Sequence, residues 1–321
     1  MPRYNLFLFK SPSEGAEITS LAESVKWKGR KGSSCRTISV KIADDTERAG
    51  IDVEKGHHVV LKYDGQELFR GLIMSMNQTD DKTLSFTAYD MGIYLANNKD
   101  TFTYTDKTAD EIFGDVCRRF GLPMGRVDKC SYRIPELSKP NTTAWDVLAD
   151  AMSLDFDNTH TRHFITAVNG KLSLTERKKN ILQWLLEAGE NLYDYSFSRS
   201  IEKISTRVKL LADENTVAAE EKDSELEKRI GIFQTIDTPD ETLNTAQITQ
   251  LAKTQLREKS RPEKTLTVST IGNPEIISGV GVYVRIPHFS IAQTYYVDED
   301  THTFEGENYR LNLKLNYTDN T

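Results

Sequence analysis

A run of three acidic residues, Asp298–Asp300, lies close to a lone histidine, His302, in the stretch YYVDEDTHTFEGENYRLNLKL near the end of the sequence. Carboxylates beside an imidazole are the groups that general acid–base catalysis and metal binding use. The same stretch alternates apolar and polar residues, as half-buried strands do. It can therefore be a chemical site or the closing hairpin of a β domain.

A second cluster with metal-ligand chemistry lies in the middle of the chain, where DFDNTHTRH contains Asp155, Asp157, His160 and His163. Two histidines three positions apart can ligate one metal from the same face of a helix, with an aspartate as the third ligand. The flanking residues predict strands rather than a long helix, and this makes that geometry unfavourable. We therefore expect a polar loop here and no metal site.

Other polar residues are expected to be solvated. The acidic runs Asp298–Asp300 and Glu220–Glu227 could be compared with the carboxylate pair of a glycosidase, but that chemistry needs two carboxylates in different environments. Both runs fall in predicted turns. His57 and His58 precede a predicted strand and His288 follows a proline, so we expect edge or turn positions for them.

The spacing of the cysteines and the absence of known motifs argue against catalysis, metal binding and cofactor binding. Cys35, Cys117 and Cys130 are odd in number and widely spaced, and no CxxC occurs, so we predict buried thiols rather than disulfides or a zinc site. The sequence contains no GxGxxG, Walker A, HExxH or GxSxG motif. We predict no catalytic, cofactor-binding or metal-ligating residue, no cofactor, and a protein that is not an enzyme.

Composition narrows the functional classes further. A chain of 321 residues holds about two or three domains. Its net charge of −7 does not support a large nucleic-acid footprint, which needs a basic face. No apolar run reaches the ~7–15 residues of a signal-peptide core or the ~20 of a spanning helix. We expect a chain made in the cytosol, without membrane insertion or specific nucleic-acid recognition.

The elements that would position these residues change in type along the chain. The first third predicts a small barrel or sandwich with turns at Asp64-Gly65 and 80–82, a bulge or bend at Gly71, and strands at Arg36–Ile42, Val59–Tyr63, Leu68–Met76 and Leu84–Tyr89. The middle is α+β. It has a helix within 105–123 capped by Thr108 or Asp106, a helix at Thr143–Met152, and a hairpin of His163–Val168 and Lys171–Thr175 around Asn169-Gly170.

The last third returns to strands. Asp194–Phe197, Val208–Leu211, Thr265–Ser269 and Gly279–Ile286 predict strands. Ala212–Gly231 is strongly charged and predicts an exposed loop or hairpin extension, partly helical. Thr242–Lys259 predicts a helix with Asn244 or Thr245 near its cap. In the final stretch, Tyr309, Leu311, Leu313 and Leu315 alternate as a core-facing row.

The first and last thirds of the sequence share a similar pattern of strands, which indicates an internal repeat. Val59–Gly65 (VVLKYDG) and Val282–His288 (VYVRIPH) alternate in the same phase, and each is followed by two further strands. Tyr63 precedes Phe86 by 23 positions, and Ile286 precedes Tyr309 by 23 positions (86 − 63 and 309 − 286). Two copies of one β domain, separated by an α+β insert, would produce this spacing.

The order of segments resembles a known family. GHHVVLKYDGQELFRGLI, TYTDKTADEIFGDVCRRFGLP, TTAWDVLADAM, NGKLSLTER, RIGIFQTI, LAKTQL and YYVDEDTHTFEGENYRLNLKL follow one another as in the XkdQ-type baseplate hub proteins of contractile phage tails and phage-tail-like bacteriocins. The resemblance covers essentially the whole chain. It implies a mainly β protein with two similar tube-forming, barrel-like domains (1–97 and 186–321) and a smaller α+β insert (98–185). The charged loop 212–231 and the helix 242–259 belong to the second β domain.

The resemblance also implies a structural role. Three chains would form a pseudo-six-fold ring that joins a hexameric tail tube to a trimeric spike, with tape measure and baseplate wedge proteins as further partners. The protein would be found in the bacterial cytoplasm during assembly and then in the baseplate. The alternative is a tail-associated peptidoglycan-binding or cell-wall-degrading protein, because the helix within 105–123 has a pattern similar to that of peptidoglycan-binding LysM modules.

Overall fold

A computed structural model describes residues 3–43, 51–79, 83–213, 216–239 and 243–316. The predicted turn at 80–82 and the start of the predicted helix at Thr242 lie outside the described residues. The chain divides into two compact units, the first being Met1–Ser196 with Thr267–Thr321 and the second Phe197–Leu266. Among the described residues, no helix combines the length and the apolar character that crossing a membrane requires.

Strands dominate the described residues. They are β1 (Tyr4–Ser11), β2 (Glu14–Glu17), β3 (Ala22–Arg30), β4 (Thr37–Ala43), β5 (His58–Tyr63), β6 (Gln66–Gln78), β7 (Thr83–Asp90), β8 (Lys99–Lys107), β9 (Met124–Val127), β10 (Ile134–Thr143), β11 (His163–Val168), β12 (Lys171–Glu176), β13 (Ile181–Glu187), β14 (Leu192–Ser200), β15 (Arg207–Leu211), β16 (Val217–Lys222), β17 (Gln234–Asp237), β18 (Glu263–Ile271), β19 (Gly281–Ile286), β20 (Ile291–Glu305) and β21 (Asn308–Asn316). The α-helices are α1 (Ile93–Asn97), α2 (Ala109–Arg119), α3 (Ala144–Thr159), α4 (Ser224–Ile230) and α5 (Thr245–Lys259).

One large sheet runs through the first and last parts of the sequence. Its strand order is β14-β18-β21-β20-β3-β4-β7-β6-β5-β1-β2, and β19 pairs with β20 while β13 pairs with β19. The antiparallel pairing of β20 with β3 joins residues from opposite ends of the chain. The predicted mainly β class is confirmed, and the division into two barrel-like domains stays a prediction.

Local sequence signals explain the hairpins of this sheet. Asp64 and Gly65 both have positive φ (47° and 80°), as a two-residue turn of the primed type requires, so the predicted hairpin between β5 and β6 is confirmed. The pairing of β6 with β7 shifts register between Ile73 and Ser75, not at Gly71. Gly71 instead packs closely on the carbonyl of Tyr89, where a Cβ would overlap it.

Each half of the large sheet contains an antiparallel meander of three strands. β5 pairs with β6 and β6 with β7; β19 pairs with β20 and β20 with β21. Val59 and Leu61 are buried in β5, and Val282 and Val284 are buried in β19. The predicted core row of β21 is confirmed at Leu311, Leu313 and Leu315, which are all buried, whereas Tyr309 is half-buried.

The α+β segment has its own hydrophobic core. Phe102 from β8, Ile112 and Phe113 from α2, and Val147 from α3 are each fully buried there. Thr108 and Glu111 form the capping box of α2, as one of the two predicted caps requires. Helix α3 begins after Thr143 as predicted but continues to Thr159, seven residues beyond the predicted end at Met152 (159 − 152).

The second unit is a small α+β structure. Strand β15 pairs antiparallel with β16 and parallel with β17. Val208 and Leu210 from β15 pack against Ala252 of α5, and Asn244 caps that helix as predicted. The charged segment Ala212–Gly231 contains β16, which forms a hairpin with β15, and helix α4, so of the two predicted alternatives the partly helical hairpin extension is the one formed. Leu226 is buried in α4, and Arg207 of β15 pairs with Glu227.

Candidate functional site

Asp300 and His302 lie inside the large sheet rather than in a turn. β20 extends 15 residues through both positions, with Asp300 2% and His302 0% exposed. The prediction of a solvated turn carboxylate at Asp300 is therefore wrong, and His302 is also an interior residue of the strand. The reason is a partner that local sequence does not reveal, because Arg36, 264 positions away, neutralises Asp300.

These side chains form a buried hydrogen-bonded cluster. Arg36 donates to both carboxylate oxygens of Asp300, with 2.9 Å from Nη1 to Oδ1. Nε2 of His302 lies 3.1 Å from Oδ2 of Asp300, and its Nδ1 lies 2.7 Å from the hydroxyl of Tyr309. The Arg36 guanidinium sits 4.2 Å from the ring centroid of Trp27. A neutral imidazole that donates from Nε2 and accepts at Nδ1 satisfies both contacts.

Electrostatics in the cluster favour a charged Asp300 and a neutral His302. Burial alone raises the pKa of Asp300, but Arg36 and His302 outweigh it and hold that pKa well below its usual range. Burial lowers the pKa of His302, and the contact with Asp300 offsets this only in part. Asp90 accepts hydrogen bonds from the backbone N–H groups of Arg36 and Gly92, and burial raises its pKa to about 6.

A glycine makes room for this arrangement. Gly29 of β3 lies opposite Asp300 of β20, and a Cβ on it would overlap Nη1 of Arg36. A glycine inside a strand often marks such a close approach, and WKGRK carries this signal in the sequence. The charged members of the cluster are buried and Tyr309 is half-buried, so the cluster connects β3 and β20 with the residue that precedes β4.

The second predicted cluster is partly assembled. Asp155 lies within α3 and is fully buried, because the helix continues through the segment predicted as a loop. His160 ends this helix with a left-handed conformation (φ 55°), and His163 begins β11, so the two histidines do not share a helical face. Asp157 is exposed. The loop prediction is thus wrong at Asp155, and only Asp155 and His163 come together.

Cys130 joins this pair from a distant part of the sequence. Its Sγ lies 3.7 Å from each ring nitrogen of His163, and Nδ1 of His163 lies 3.3 Å from Oδ2 of Asp155. The sequence offered no spacing that could connect Cys130 to the other two. Burial raises the pKa of the Cys130 thiol to about 12, with a smaller contribution from Asp155. A thiol held in this way is not an activated nucleophile.

The other cysteines follow the prediction of buried thiols only in part. Cys117 is fully buried in α2, and burial raises its pKa to about 12. Cys35 is half-buried, and burial raises its pKa to about 11. No disulfide joins the three, which are all free.

The remaining predicted polar residues are mostly at the surface. Glu220 and Glu227 both pair with Arg207 on the second unit rather than with each other across a cleft. His58 and His288 are exposed and His57 is half-buried, in agreement with edge and turn positions. None of these groups has the paired environment of an acid–base site.

A cavity of about 260 Å³ opens beside His163 in the first unit. Its aromatic walls include Trp145, Phe156 and Phe164, and its basic residues are Arg30, Lys31, Arg162 and Arg177. Arg177 is 4% exposed, its guanidinium stacks 3.9 Å from the centroid of Tyr296, and none of its side-chain nitrogens has a hydrogen-bond partner among the described residues. Burial lowers the pKa of Arg177 to about 10.

An apolar patch lies along β13, which sequence reasoning did not identify. Ile181, Trp184, Leu185 and Tyr283 are each 40–47% exposed, and Leu185 pairs with Tyr283 across β13 and β19. The sequence signal was present, because ILQWLLE places apolar residues on both faces of one strand and a strand with one wet face would alternate. We call these four residues the β13 patch.

The β13 patch adjoins an open sheet edge. Within the described residues, β13 pairs with no strand except β19, and on its other edge the Asn191 side chain hydrogen-bonds the carbonyl of Leu185 and the N–H of Glu187. At the opposite end of the sheet, β2 is short and exposed and carries Glu14 and Glu17, which discourages edge pairing. The β13 edge, with its apolar side chains, is suited to association with another chain. The β2 edge, with its charged side chains, resists it.

Comparisons with known proteins agree on one class. A family model described as YQBQ-like matches residues 25–316. The chain is 33% identical to the phage-like element PBSX protein XkdQ and 32% identical to protein YqbQ, both of Bacillus subtilis strain 168. Each alignment covers 97% of this chain, with 96% of XkdQ and 95% of YqbQ. The resemblance to XkdQ-type proteins is thereby confirmed.

Solved structures share the fold at low sequence identity. A tail protein from Neisseria meningitidis MC58 has a TM-score of 0.74 at 14% identity, covering 99% of this chain and 97% of its own. The 43 kDa tail protein of prophage MuSo2 from Shewanella oneidensis has a TM-score of 0.73 at 12% identity, covering 97% of each chain. An E. coli type VI secretion component, described as similar to the T4 tail proteins gp27 and gp5, has a TM-score of 0.59 at 6% identity, covering 93% of this chain and 74% of its own.

Proposed function

The chain belongs to the YQBQ-like family, and from that membership we propose that it is the structural hub of a contractile-tail baseplate. Similarity to phage-type tail proteins over nearly the whole chain makes it a structural tail component rather than an enzyme. The position of the chain at the hub of the baseplate is the more specific part of the proposal. Three chains would form a ring that joins a six-fold tail tube to a three-fold spike, and tape measure and wedge proteins would contact it.

The repeated meander is the observation that carries this proposal. Strands β5–β6–β7 and β19–β20–β21 are two antiparallel meanders on either side of the β3–β20 junction. Two similar β domains per chain, at 1–97 and 186–321, would give six in a trimer. A ring of this kind matches a six-fold tube on one side and a three-fold spike on the other.

The β13 patch supplies a contact for the neighbouring subunit. A strand with a single strand partner and four exposed apolar side chains beside it is stabilised when another subunit covers those side chains. In a closed ring every such edge meets the next subunit, and no edge is left open. We assign the β13 patch to this interface between subunits.

Electron microscopy of tail particles tests the hub role. We expect three copies of the chain per particle, in a ring at the junction of tube and spike. A junction ring built from another protein, with this chain elsewhere in the particle or absent from it, would overturn the proposal.

A variant tests the interface separately. Trp184→Lys with Leu185→Lys adds charge to the β13 patch, and we expect loss of the chain from assembled tails with unchanged circular dichroism. Val168→Lys is a matched control, because Val168 is 49% exposed on a hairpin of the α+β segment. Normal assembly of the Trp184/Leu185 variant would remove the patch from the interface and leave the hub role untouched.

A second candidate function rests on the cavity beside His163. Aromatic faces and buried guanidinium groups are suited to an anionic glycan such as a cell-wall fragment. Binding would be seen as retention of the purified chain on sedimented peptidoglycan, with loss of retention in Arg177→Met. Equal retention of both proteins, or of neither, would exclude this use of the cavity.

A further inference from the structure

We propose that Cys130, Asp155 and His163 bind a divalent transition metal, with zinc as the ion their chemistry favours. One ligand atom from each residue lies within 4.8 Å of the others. The sulfur, imidazole nitrogen and carboxylate oxygen form a mixed donor set of the kind that zinc accepts. This departs from the prediction of no metal site, and it does not depend on the hub role.

The distances between the donor atoms fit tetrahedral coordination. With Zn–S of ~2.3 Å and Zn–N or Zn–O of ~2.0–2.1 Å, neighbouring ligand atoms should be separated by about 3.6 Å for sulfur and nitrogen and about 3.3 Å for nitrogen and oxygen. Sγ of Cys130 is 3.7 Å from Nδ1 of His163, and Nδ1 is 3.3 Å from Oδ2 of Asp155. Sγ is also 3.7 Å from Nε2, whereas an ion on Nδ1 would leave Sγ about 5 Å from Nε2, so the His163 ring has to turn before the three groups meet at one ion.

An unpartnered oxygen points to the same conclusion. Oδ1 of Asp155 accepts a hydrogen bond from the backbone N–H of Tyr132, but Oδ2 accepts none among the described residues. Both Asp155 and His163 have side chains only 1% exposed. A buried carboxylate oxygen without a partner is costly, and a cation between Oδ2, Nδ1 and Sγ would satisfy it.

A hydrogen-bonded Cys-His-Asp triad is not formed in this arrangement. Sγ lies equally far, 3.7 Å, from both nitrogens of His163, so it faces the side of the ring rather than the N–H of one nitrogen. Neighbouring acids already have partners: Asp110 pairs with Lys129, and Asp128 pairs with Arg126. A metal would displace the proton from the Cys130 thiol, so binding should weaken as the pH falls.

The ion would have a structural role. Cys130 lies in the irregular segment between β9 and β10, Asp155 in the last turns of α3, and His163 at the start of β11. A metal would hold these three parts of the α+β segment together. His163 also lines the cavity described above, whereas Cys130 and Asp155 do not.

Metal analysis of the intact chain tests the proposal. After loading with zinc and removal of excess ion, we expect about one zinc per chain, as a site with one ligand set requires. Cobalt in its place should give the intense visible bands of tetrahedral coordination and a thiolate charge-transfer band in the near ultraviolet. Zinc should also raise the melting temperature by a few degrees.

Matched variants distinguish zinc binding at this site from nonspecific zinc binding. Cys130→Ser, Asp155→Asn and His163→Gln should each lose at least tenfold in zinc affinity, and Cys130→Ser should also lose the charge-transfer band. Cys117→Ser, which changes an equally buried thiol on α2, should keep both. Zinc contents that are equal in the wild type and all three ligand variants, or a wild type that retains no zinc, would overturn the proposal.

Discussion

At the scale of single residues, a buried ion pair connects the two ends of the sequence. Arg36 and Asp300 are nearly inaccessible to water, with side chains 7% and 0% exposed. A buried charge is tolerated only when its partner and its hydrogen bonds are present, so each residue depends on the other. The pair therefore specifies how β4 and β20 come together more than it adds net stability.

Replacing only one residue of the Arg36–Asp300 pair should destabilise the protein more than replacing both. Arg36→Met leaves Asp300 charged and buried, and we expect a loss of about 3–5 kcal/mol of unfolding free energy. Arg36→Met with Asp300→Leu removes both charges, and it should cost less than the single variant. Urea unfolding of the wild type, the single variants and the double variant measures this difference. A double variant as unstable as the sum of the singles would mean that the charges are not coupled.

His302 should make stability depend on pH. Its pKa in the folded chain is below the value of 6.5 expected when unfolded. Above that value both states carry a neutral imidazole; below it the unfolded chain binds a proton that the native chain does not. Stability should therefore fall as the pH drops from 7.5 to 5.5, by up to about 1.4 kcal/mol per pH unit.

Comparison of variants isolates this contribution. Asp90, with its pKa raised to about 6, acts in the opposite direction because the folded chain binds its proton first. Because the wild type and His302→Gln both contain Asp90, its contribution to the pH dependence cancels when their stabilities are compared. The wild type should lose more stability than His302→Gln on acidification. His288→Gln, which changes an exposed histidine, should follow the wild type, and an unchanged pH profile in His302→Gln would contradict the assignment.

At the scale of elements, the last hairpin completes a core that begins at the other end of the chain. Phe304 of β20 is fully buried among Tyr4, Tyr63 and other residues of the first β segment. Its ring stacks on Tyr309 at 4.2 Å and lies 5.2 Å from Tyr4. The hairpin β20–β21 thus belongs to the core of the first β segment as much as to its own meander.

Truncating Phe304 should destabilise the core that the first β segment shares with the last hairpin. Phe304→Ala leaves a cavity in a close-packed core, and we expect a loss of about 3–5 kcal/mol. Phe233→Ala removes the same atoms from a side chain that is 47% exposed, so its cost should be on the order of 1 kcal/mol or less. Thermal unfolding followed by near-ultraviolet circular dichroism compares them. Equal costs would mean that the tip of the hairpin is not packed in the core.

At the scale of the whole molecule, continuity of the large sheet matters more than any single site. The pairing of β20 with β3 makes one sheet from segments separated by the α+β insert. The backbone pairing of β20 with β3 is accompanied by the Arg36–Asp300 ion pair and by the burial of Phe304, so several independent contacts join the two ends of the sequence. The chemistry first sought at His302 serves this junction.

Much of the local structure could be predicted from sequence. The turns at Asp64-Gly65 and Asn169-Gly170 were predicted, and the N-caps of α2 and α5 were each predicted as one of two residues, of which Thr108 and Asn244 are the caps. Predictions failed where burial depends on a distant partner. Polar residues were taken as solvated at Asp155 and Asp300, yet both are buried.

The sequence by itself determined the mainly β class and the family, because periodicity, caps, turns and segment order are local or sequential properties. Only the tertiary structure decided that Asp300 and His302 are internal, that Cys130 meets Asp155 and His163, and that β13 leaves an apolar edge. These facts depend on contacts between residues far apart in the chain. A local pattern records whether a side chain is polar, but it does not record which distant group will neutralise it.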